Sequence, residues 1–276
     1  RKQEMLSVPV RELLEKFYPS VPIYTPTSYR IEQEGIVGTE RPELIIVADY
    51  GQILPEYTIQ YPQYKCLNIH GSVLPDLRGA VPIPLSILNG YIKTGVSILV
   101  MTTGLDDGPV IASSERSIED NDTTATLKRK LAEDGAELLI ETLPGWFSGE
   151  IDSIPQDESK ATFADKSLIN KDRASFGTNT SILQVDRMVR AFNPWPIAWC
   201  SVVLSNKTKR LKIFSAQAVE DLNEMAKYTP GQIIREKNEL LLILQDGILK
   251  LKEIQLEGKP LGTGKDYLYL DGASVL

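Results

Sequence analysis

The sequence predicts an α/β chain in which a parallel-sheet domain is followed by a small β-barrel. Three observations carry this reading. Through the first 150 residues, apolar runs of strand length alternate with segments of helical periodicity. Residues 150–180 are polar, rich in Asp, Ser, Lys, Asn and Thr, and read as a connection. After a helix that begins near Ser181, short β-rich runs follow one another with no helix between them.

The elements come in this order. Residues 5–19 read as a helix, because Leu6, Val10, Leu13, Leu14 and Phe17 recur at helical spacing. Val21–Tyr24 is a short strand candidate. Three clearer strands are Glu43–Ala48, Cys66–His70 and Val96–Met101, with a helix at Pro82–Asn89 before the last of them. Pro109–Arg116 is a further strand. A long helix over Thr123–Trp146 shows Leu127, Leu131, Leu138 and Thr142 on one face, with Thr123 or Thr124 as its N-cap. Ile182, Val185 and Val189 then mark the helix that leads into Phe192–Trp199, written FNPWPIAW. Runs at 199–204, 210–214, 231–235, 240–244 and 248–255 follow, with hairpin signals at Ser205–Lys207 and Gln245–Gly247. Five short strands of this kind fit a small barrel such as the OB-fold.

Composition excludes several function classes. No apolar run reaches the roughly 18 residues of a membrane-spanning helix. The net charge of −7 argues against a general nucleic-acid coat protein. The charge is unevenly spread: residues 1–180 carry 17 basic and 26 acidic side chains, and residues 181–276 carry 13 and 11. A polyanionic partner therefore prefers the second part. Cys66 and Cys200 lie far apart among hydrophobic residues and read as buried thiols. No Cys/His cluster with metal-ligand spacing is present, so no metal is expected.

Three places can carry chemistry. His70, the single histidine, ends a strand-like run. Asn68 lies two residues earlier, so both side chains fall on one strand face. An amide that donates to an oxyanion and an imidazole that moves protons make a plausible pair; a histidine that merely caps a strand is the other reading. Asp106, in Gly104–Gly108, follows another strand and could orient that imidazole, or could sit in a plain turn. The third is the apolar loop Ser72–Pro75, followed by Arg78-Gly79-Ala80 and Val81-Pro82 at a helix start. It suits a flat, partly apolar ligand with a charged tail, or is simply a proline-bounded connection. The chain contains neither a G-x-G-x-x-G fingerprint nor a Walker motif.

Taken together, these segments resemble the folate-dependent formyltransferases. CLNIHGSVLPDLRGAVPI resembles the family's core signature, in which Asn-x-His precedes a Ser-Leu-Leu-Pro loop and Arg-Gly-Ala-x-Pro. TGVSILVMTTGLDDGPV resembles the segment that carries Leu-Asp-x-Gly. VADYGQILPE is similar to the family's Ala-Tyr-Gly-x-Ile-Leu-Pro segment, and RAFNPWPIAW to the entrance of its second domain. The resemblance covers nearly the whole chain. It implies a Rossmann-like domain over residues 1–170, a linker over 171–180 and an OB-like domain over 181–276.

The resemblance also implies residue roles. Asn68, His70 and Asp106 match the catalytic residues. Ser72, Val73, Leu74 and Pro75 match a folate-binding loop, and Tyr50, Gly51 and Ile53 match positions that line the folate ring. The donor implied is 10-formyltetrahydrofolate. The acceptor implied is the amino group of methionyl-tRNA, formylated for translation initiation. Arg78, Lys207, Lys209, Arg210 and Lys212 are the expected RNA contacts. Amino-sugar formyltransferases, the hydrolase module of formyltetrahydrofolate dehydrogenase and a truncated, inactive folate- or RNA-binding relative remain alternatives. A monomer is expected, in a mitochondrial matrix or a bacterial cytoplasm; the absence of an initiator Met leans toward the former.

Several positions depart from the family pattern. Val73 stands for Leu, Asp49 for Ala, Asp76 for Arg or Lys, and Pro109 for Asp. The family also opens with a strand, a helix and a second strand that have no counterpart before residue 5. The strand at 43–48 is therefore expected to lie in a sheet with exposed backbone or apolar surface on its open side.

Overall fold

The computed structural model describes residues 9–219 and 228–276. The first domain holds β1 (Ile45–Ala48), β2 (Cys66–His70), β3 (Lys93–Val100) and β4 (Val110–Ser117), in the spatial order β1-β2-β3-β4. Helices α1 (Pro9–Phe17), α2 (Tyr29–Glu40), α3 (Glu56–Gln60), α4 (Pro82–Leu88) and α5 (Thr124–Ser148) accompany it. The α/β class is as expected, and so are the strand that ends at His70 and the long helix capped by Thr123.

Among the four described strands of this sheet, β1 and β2 pair in parallel, and β3 runs antiparallel to both of its neighbours. The connection from β3 to β4 spans only residues 101–109, shorter than a parallel crossover requires. The strand candidate at Val21–Tyr24 is not a strand. Pro19, Pro22 and Pro26 remove backbone donors from that segment. Helices α2 and α3 were not anticipated; α2 buries only Gln33 and Val37, which gives a faint periodic signal. Leu6, part of the first predicted helix, lies outside the described residues.

Among the described residues, β1 forms one edge of the sheet and pairs with β2 alone. Ile46 on that strand, and Tyr50 and Ile53 beyond it, are exposed. On one face of the sheet, Ile69 and Val96 pack under Gly135 of α5. That helix also buries Leu127 and Leu131.

Helix α6 (Ile182–Ala191), capped by Ser181, introduces the second domain. The barrel strands are β5 (Ala198–Leu204), β6 (Lys207–Val219), β7 (Ile233–Glu236), β8 (Glu239–Ile243), β9 (Ile248–Leu256), β10 (Gly262–Thr263) and β11 (Ser274–Val275). They run in the order β11-β5-β6-β9-β8-β7, with β10 on β9. The Val275 amide donates to the Gly231 carbonyl at 2.7 Å and the Ile233 amide to Ala273 at 2.8 Å, which ties the first and last strands together. Closure of this kind leaves few unpaired edges.

The two domains share packing. Leu77 and Leu85 of the first belong to the same buried cluster as Val185, Ile213 and Leu251. The Thr124 hydroxyl donates to the Ala191 carbonyl at 2.6 Å, which fixes the start of α5 against the end of α6. Gly90, at φ 74°, lies directly against the Arg187 guanidinium, where a side chain would collide.

The helix–sheet contact gives the first test. A Cβ at position 135 would stand 2.8 Å from Ile69 Cγ2. Gly135→Val overpacks that contact and should lower stability by about 1–3 kcal/mol. A reduced midpoint in urea unfolding is the expected result, and an unchanged midpoint contradicts the packing described.

Candidate active site

Strand alternation places Asn68 and His70 on the sheet face opposite Gly135. The loop between β3 and β4 leaves beside Leu67 and folds back over that face. Its turn depends on Asp106, held in the left-handed region at φ 50°. Asp tolerates this conformation better than most side chains. Gly108 allows the loop to pass directly against the Val100 carbonyl, where any Cβ would collide.

The result is a compact cluster. The Asn68 Nδ2 donates to Asp106 Oδ1 at 3.2 Å, and His70 Nδ1 stands 3.6 Å from Asp106 Oδ2. The Gly79 amide also donates to Oδ2, at 2.8 Å. The His70 Nε2 lies 2.9 Å from the Leu77 carbonyl. A carbonyl only accepts, so Nε2 carries the proton and Nδ1 is the nitrogen turned to the carboxylate. A ring protonated on both nitrogens can donate in both directions; a neutral ring presents an acceptor to the carboxylate. His70 is 5% exposed, so water contributes little to these choices. Asn68 keeps one amide hydrogen that the carboxylate does not use.

Arg78 overturns an expectation. Predicted as an RNA contact, it is 2% exposed. Its Nε donates to Gln156 Oε1 at 3.0 Å, and its two terminal nitrogens donate to Glu158 at 2.9 and 2.7 Å. A guanidinium buried and neutralised in this way is closed to a phosphate of an incoming RNA. The same pairing holds the Glu158 carboxyl below its ordinary range, through hydrogen bonding to Arg78. Gln156 in turn donates to the carbonyls of Asp106 and Gly108, at 2.8 and 2.7 Å. Sequence reasoning missed Gln156 and Glu158 because they sit in the polar 150–180 stretch, where no periodicity marks a buried contact.

The loop Ser72–Pro75 leaves the carboxyl end of β2, beside the segment with Tyr50, Gly51 and Ile53 that leaves the carboxyl end of β1. Neighbouring parallel strand ends are where open α/β sheets bind ligands. Tyr50 is exposed and edge-on to Tyr29, ring centroids 5.9 Å apart, and Ile53 is 89% exposed. Ser72 is buried, and its hydroxyl donates to the Asp76 carbonyl. Leu74 is buried, while Val73 and Pro75 remain part-exposed. The loop can therefore present backbone groups and apolar side chains to a flat ligand. Ser97, also missed from the sequence, anchors the loop. Its hydroxyl donates to the Ser72 carbonyl at 2.9 Å and accepts from the Leu74 amide at 3.0 Å.

The basic strand lies on the barrel, where Lys209, Arg210 and Lys212 line an open groove of about 470 Å³ with Trp199 and Glu257. The Arg210 guanidinium stacks on Trp199, 4.0 Å from the ring centroid. Lys207 is exposed at the start of the strand. Alternation puts Lys207 and Lys209 on the side of buried Leu211, and Arg210 and Lys212 on the other.

Burial pushes the thiols of Cys66 and Cys200 up to about 12, so neither is an available nucleophile. Among the described residues, no group of three or more His, Cys, Asp or Glu could share a metal ion, and no helix is long and apolar enough to cross a membrane.

Comparison with known proteins places this architecture. The formyl transferase pattern matches residues 3–143, and that of the formyl transferase C-terminal domain matches residues 169–270. The chain belongs to the formyl transferase family and is a transferase enzyme. It is 36% identical over 271 residues to methionyl-tRNA formyltransferase of Bacillus velezensis, covering 97% of this chain and 82% of the relative. It is also 36% identical to that of Clostridium novyi, covering 100% of this chain and 86% of the relative. Among solved structures, HypX from Aquifex aeolicus in complex with tetrahydrofolic acid has a TM-score of 0.68 at 20% identity, over 88% of this chain and 41% of that one. WlaRD, a sugar 3N-formyl transferase, has a TM-score of 0.58 at 15% identity, over 91% and 93%. Those two likenesses show the fold.

Ser97→Ala tests the loop anchor. It leaves the buried Leu74 amide without a partner and should lower stability by about 1–3 kcal/mol. Chemical unfolding measures this, and an unchanged midpoint would remove Ser97 from the loop's support.

Proposed function

We propose that this enzyme transfers the formyl group of 10-formyltetrahydrofolate to the α-amino group of methionyl-tRNA, the step that prepares the initiator for translation. One observation carries the reading: Asn68, His70 and Asp106 converge around a single carboxylate on one sheet face. Identity above one third, along nearly the whole length, to relatives named for this reaction supports the acceptor. In this reading residues 1–170 carry the chemistry, 171–180 connect, and 181–276 hold the acceptor RNA.

The donor supplies an N-formyl group open to nucleophilic attack. Ser72–Pro75, with Tyr50, Gly51 and Ile53, would hold it beside His70. A free α-amine has a reference pKa of about 7.7–8.0, and esterification lowers it, so a usable fraction is neutral near pH 7. As the new C–N bond forms, negative charge develops on the formyl oxygen. Asn68 donates its remaining amide hydrogen there, acting where charge appears in the transition state. His70 accepts the proton lost by the attacking amine at Nδ1, the nitrogen that the Leu77 carbonyl leaves bare, and passes it to the departing N10, whose bond to the formyl carbon breaks. Asp106 holds the imidazole and compensates its charge while it carries the extra proton.

Lys207, Lys209, Arg210 and Lys212 would contact tRNA phosphates, with the Trp199–Arg210 stack as a platform beside them. The enzyme acts as a monomer in this account. Of the two compartments the sequence left open, the bacterial relatives support the bacterial cytoplasm and give no support to the mitochondrial one.

The direct experiment is transfer of labelled formyl from 10-formyltetrahydrofolate to charged methionyl-tRNA. Asn68→Ala should reduce kcat on the order of 10²–10³-fold, with little change in KM for the donor. Activity on an amino-sugar nucleotide but not on the tRNA would replace the acceptor. Near-normal kcat after His70→Ala would remove the proposed proton carrier.

The barrel makes a separate prediction. Changing Lys207, Lys209, Arg210 and Lys212 to Ala should raise KM for tRNA. It should also flatten the salt dependence, by about one unit of log–log slope for each phosphate that is no longer neutralised. If both stay unchanged, the strand is only a solvated basic face.

A further inference from the structure

The polar segment from Ile154 to Ala164 lies across the active-site face. The Ile154 and Val110 backbones exchange two hydrogen bonds at 2.8 Å. The Thr162 carbonyl accepts from the Arg78 amide at 2.9 Å, and the Ala164 amide donates to the Arg78 carbonyl at 2.7 Å. The Thr162 hydroxyl accepts from the Leu77 amide at 2.8 Å. This strap therefore touches both the loop that carries Asp106 and the segment whose Leu77 carbonyl orients His70.

Gln156 is the member of the strap that reaches Asp106 itself. Both amide hydrogens are used, one on the Asp106 carbonyl and one on the Gly108 carbonyl. Its oxygen accepts from Arg78 Nε. The orientation of the amide is fixed by chemistry, since carbonyls only accept and a guanidinium only donates. The hydrogen bonds close a ring. Asp106 is held through its carboxylate by the Gly79 amide, and through its carbonyl by Gln156, which is held by Arg78. The two anchors, Arg78 and Gly79, are consecutive residues. Glu158 neutralises the buried Arg78 and completes the ring's support.

We infer that Gln156 is a positioning residue for formyl transfer: it clamps the Asp106–Gly108 backbone so that Asp106 keeps its left-handed conformation and its carboxylate stays against His70. This rests on the reading of Asp106 as catalytic. A left-handed non-glycine residue persists only when its surroundings over-determine it. Without the clamp, the loop can relax toward an ordinary backbone conformation and carry the carboxylate away from Nδ1. Misplacement by about 1 Å can reduce a rate on the order of 10²-fold.

The test is a double-substitution cycle on the whole chain, read as kcat and KM for the formyl donor, with thermal unfolding measured on each variant. Gln156→Ala should lower kcat on the order of 10²-fold with KM for the donor little changed; the midpoint should fall, because the buried Arg78 Nε loses its partner, with the protein still folded at the assay temperature. In an Asp106→Ala background, the same change should lower kcat no further, because there is no carboxylate left to position. Gln156→Glu is the isosteric second variant. It sets carboxylate oxygens against two carbonyls while it still accepts from Arg78, and its kcat should fall at least as far as that of Gln156→Ala. An equal loss from Gln156→Ala in both backgrounds, a loss that tracks unfolding, or parental kcat in Gln156→Glu would each overturn the inference. Parental kcat in Asp106→Ala alone would instead sink the catalytic reading on which it rests.

Discussion

The structure turns on one carboxylate. Asp106 receives hydrogen bonds from the Asn68 side chain and the Gly79 backbone, and presents an oxygen to His70. Asn68 and His70 stand on strand β2, Gly79 lies in the loop after it, and Asp106 comes from the turn between β3 and β4. A charged group so shielded from solvent is tolerated only when donors surround it. Those donors also fix where the imidazole can point, because the far side of the ring is taken by the Leu77 carbonyl. The geometry that balances the charge is also the one that the proposed transfer uses.

The rest of the fold holds that arrangement rigid. Helix α5 packs so closely on the sheet that Gly135 leaves no room for a side chain. The face bearing Asn68 and His70 is thereby braced from behind. In front, the strap over 154–164 ties Arg78 and the Asp106 loop together before the chain enters the barrel. Leu77 packs into the cluster that includes barrel residues, so the loop that orients His70 rests on both domains. The barrel is thus more than an appended module. It forms part of the wall on which that loop rests, while β5, β6 and β9 line a separate basic groove.

Much of this was legible in the sequence, and the limits of legibility have physical causes. Strand alternation marked Asn68 and His70 as a candidate pair and turn residues marked Asp106 as a candidate partner, but only the resemblance to the formyltransferases joined the three into one site. The barrel was visible as a change of period. Arg78 was misjudged because a motif arginine looks the same whether its charge meets a phosphate or a buried glutamate; only the partner decides, and Glu158 lies 80 residues away. Gln156, Thr162 and Ser97 carry no local signal, since a single polar residue that bonds to distant backbone leaves no periodic trace. The antiparallel run of β3 was also hidden. Apolar content reports burial on both faces, and strand direction follows from where the chain re-enters the sheet.

Because the chain contains one histidine, ring nitrogen signals in a labelled sample belong to His70 without ambiguity. Nitrogen-15 spectra of the parent and of Asp106→Ala therefore test the central arrangement directly. The account predicts that Nε2 is protonated in both proteins, held by the Leu77 carbonyl, and that the Nδ1 signal moves when the carboxylate is removed. A parent ring whose proton resides on Nδ1 with Nε2 bare, or an Nδ1 signal indifferent to Asp106→Ala, would contradict it.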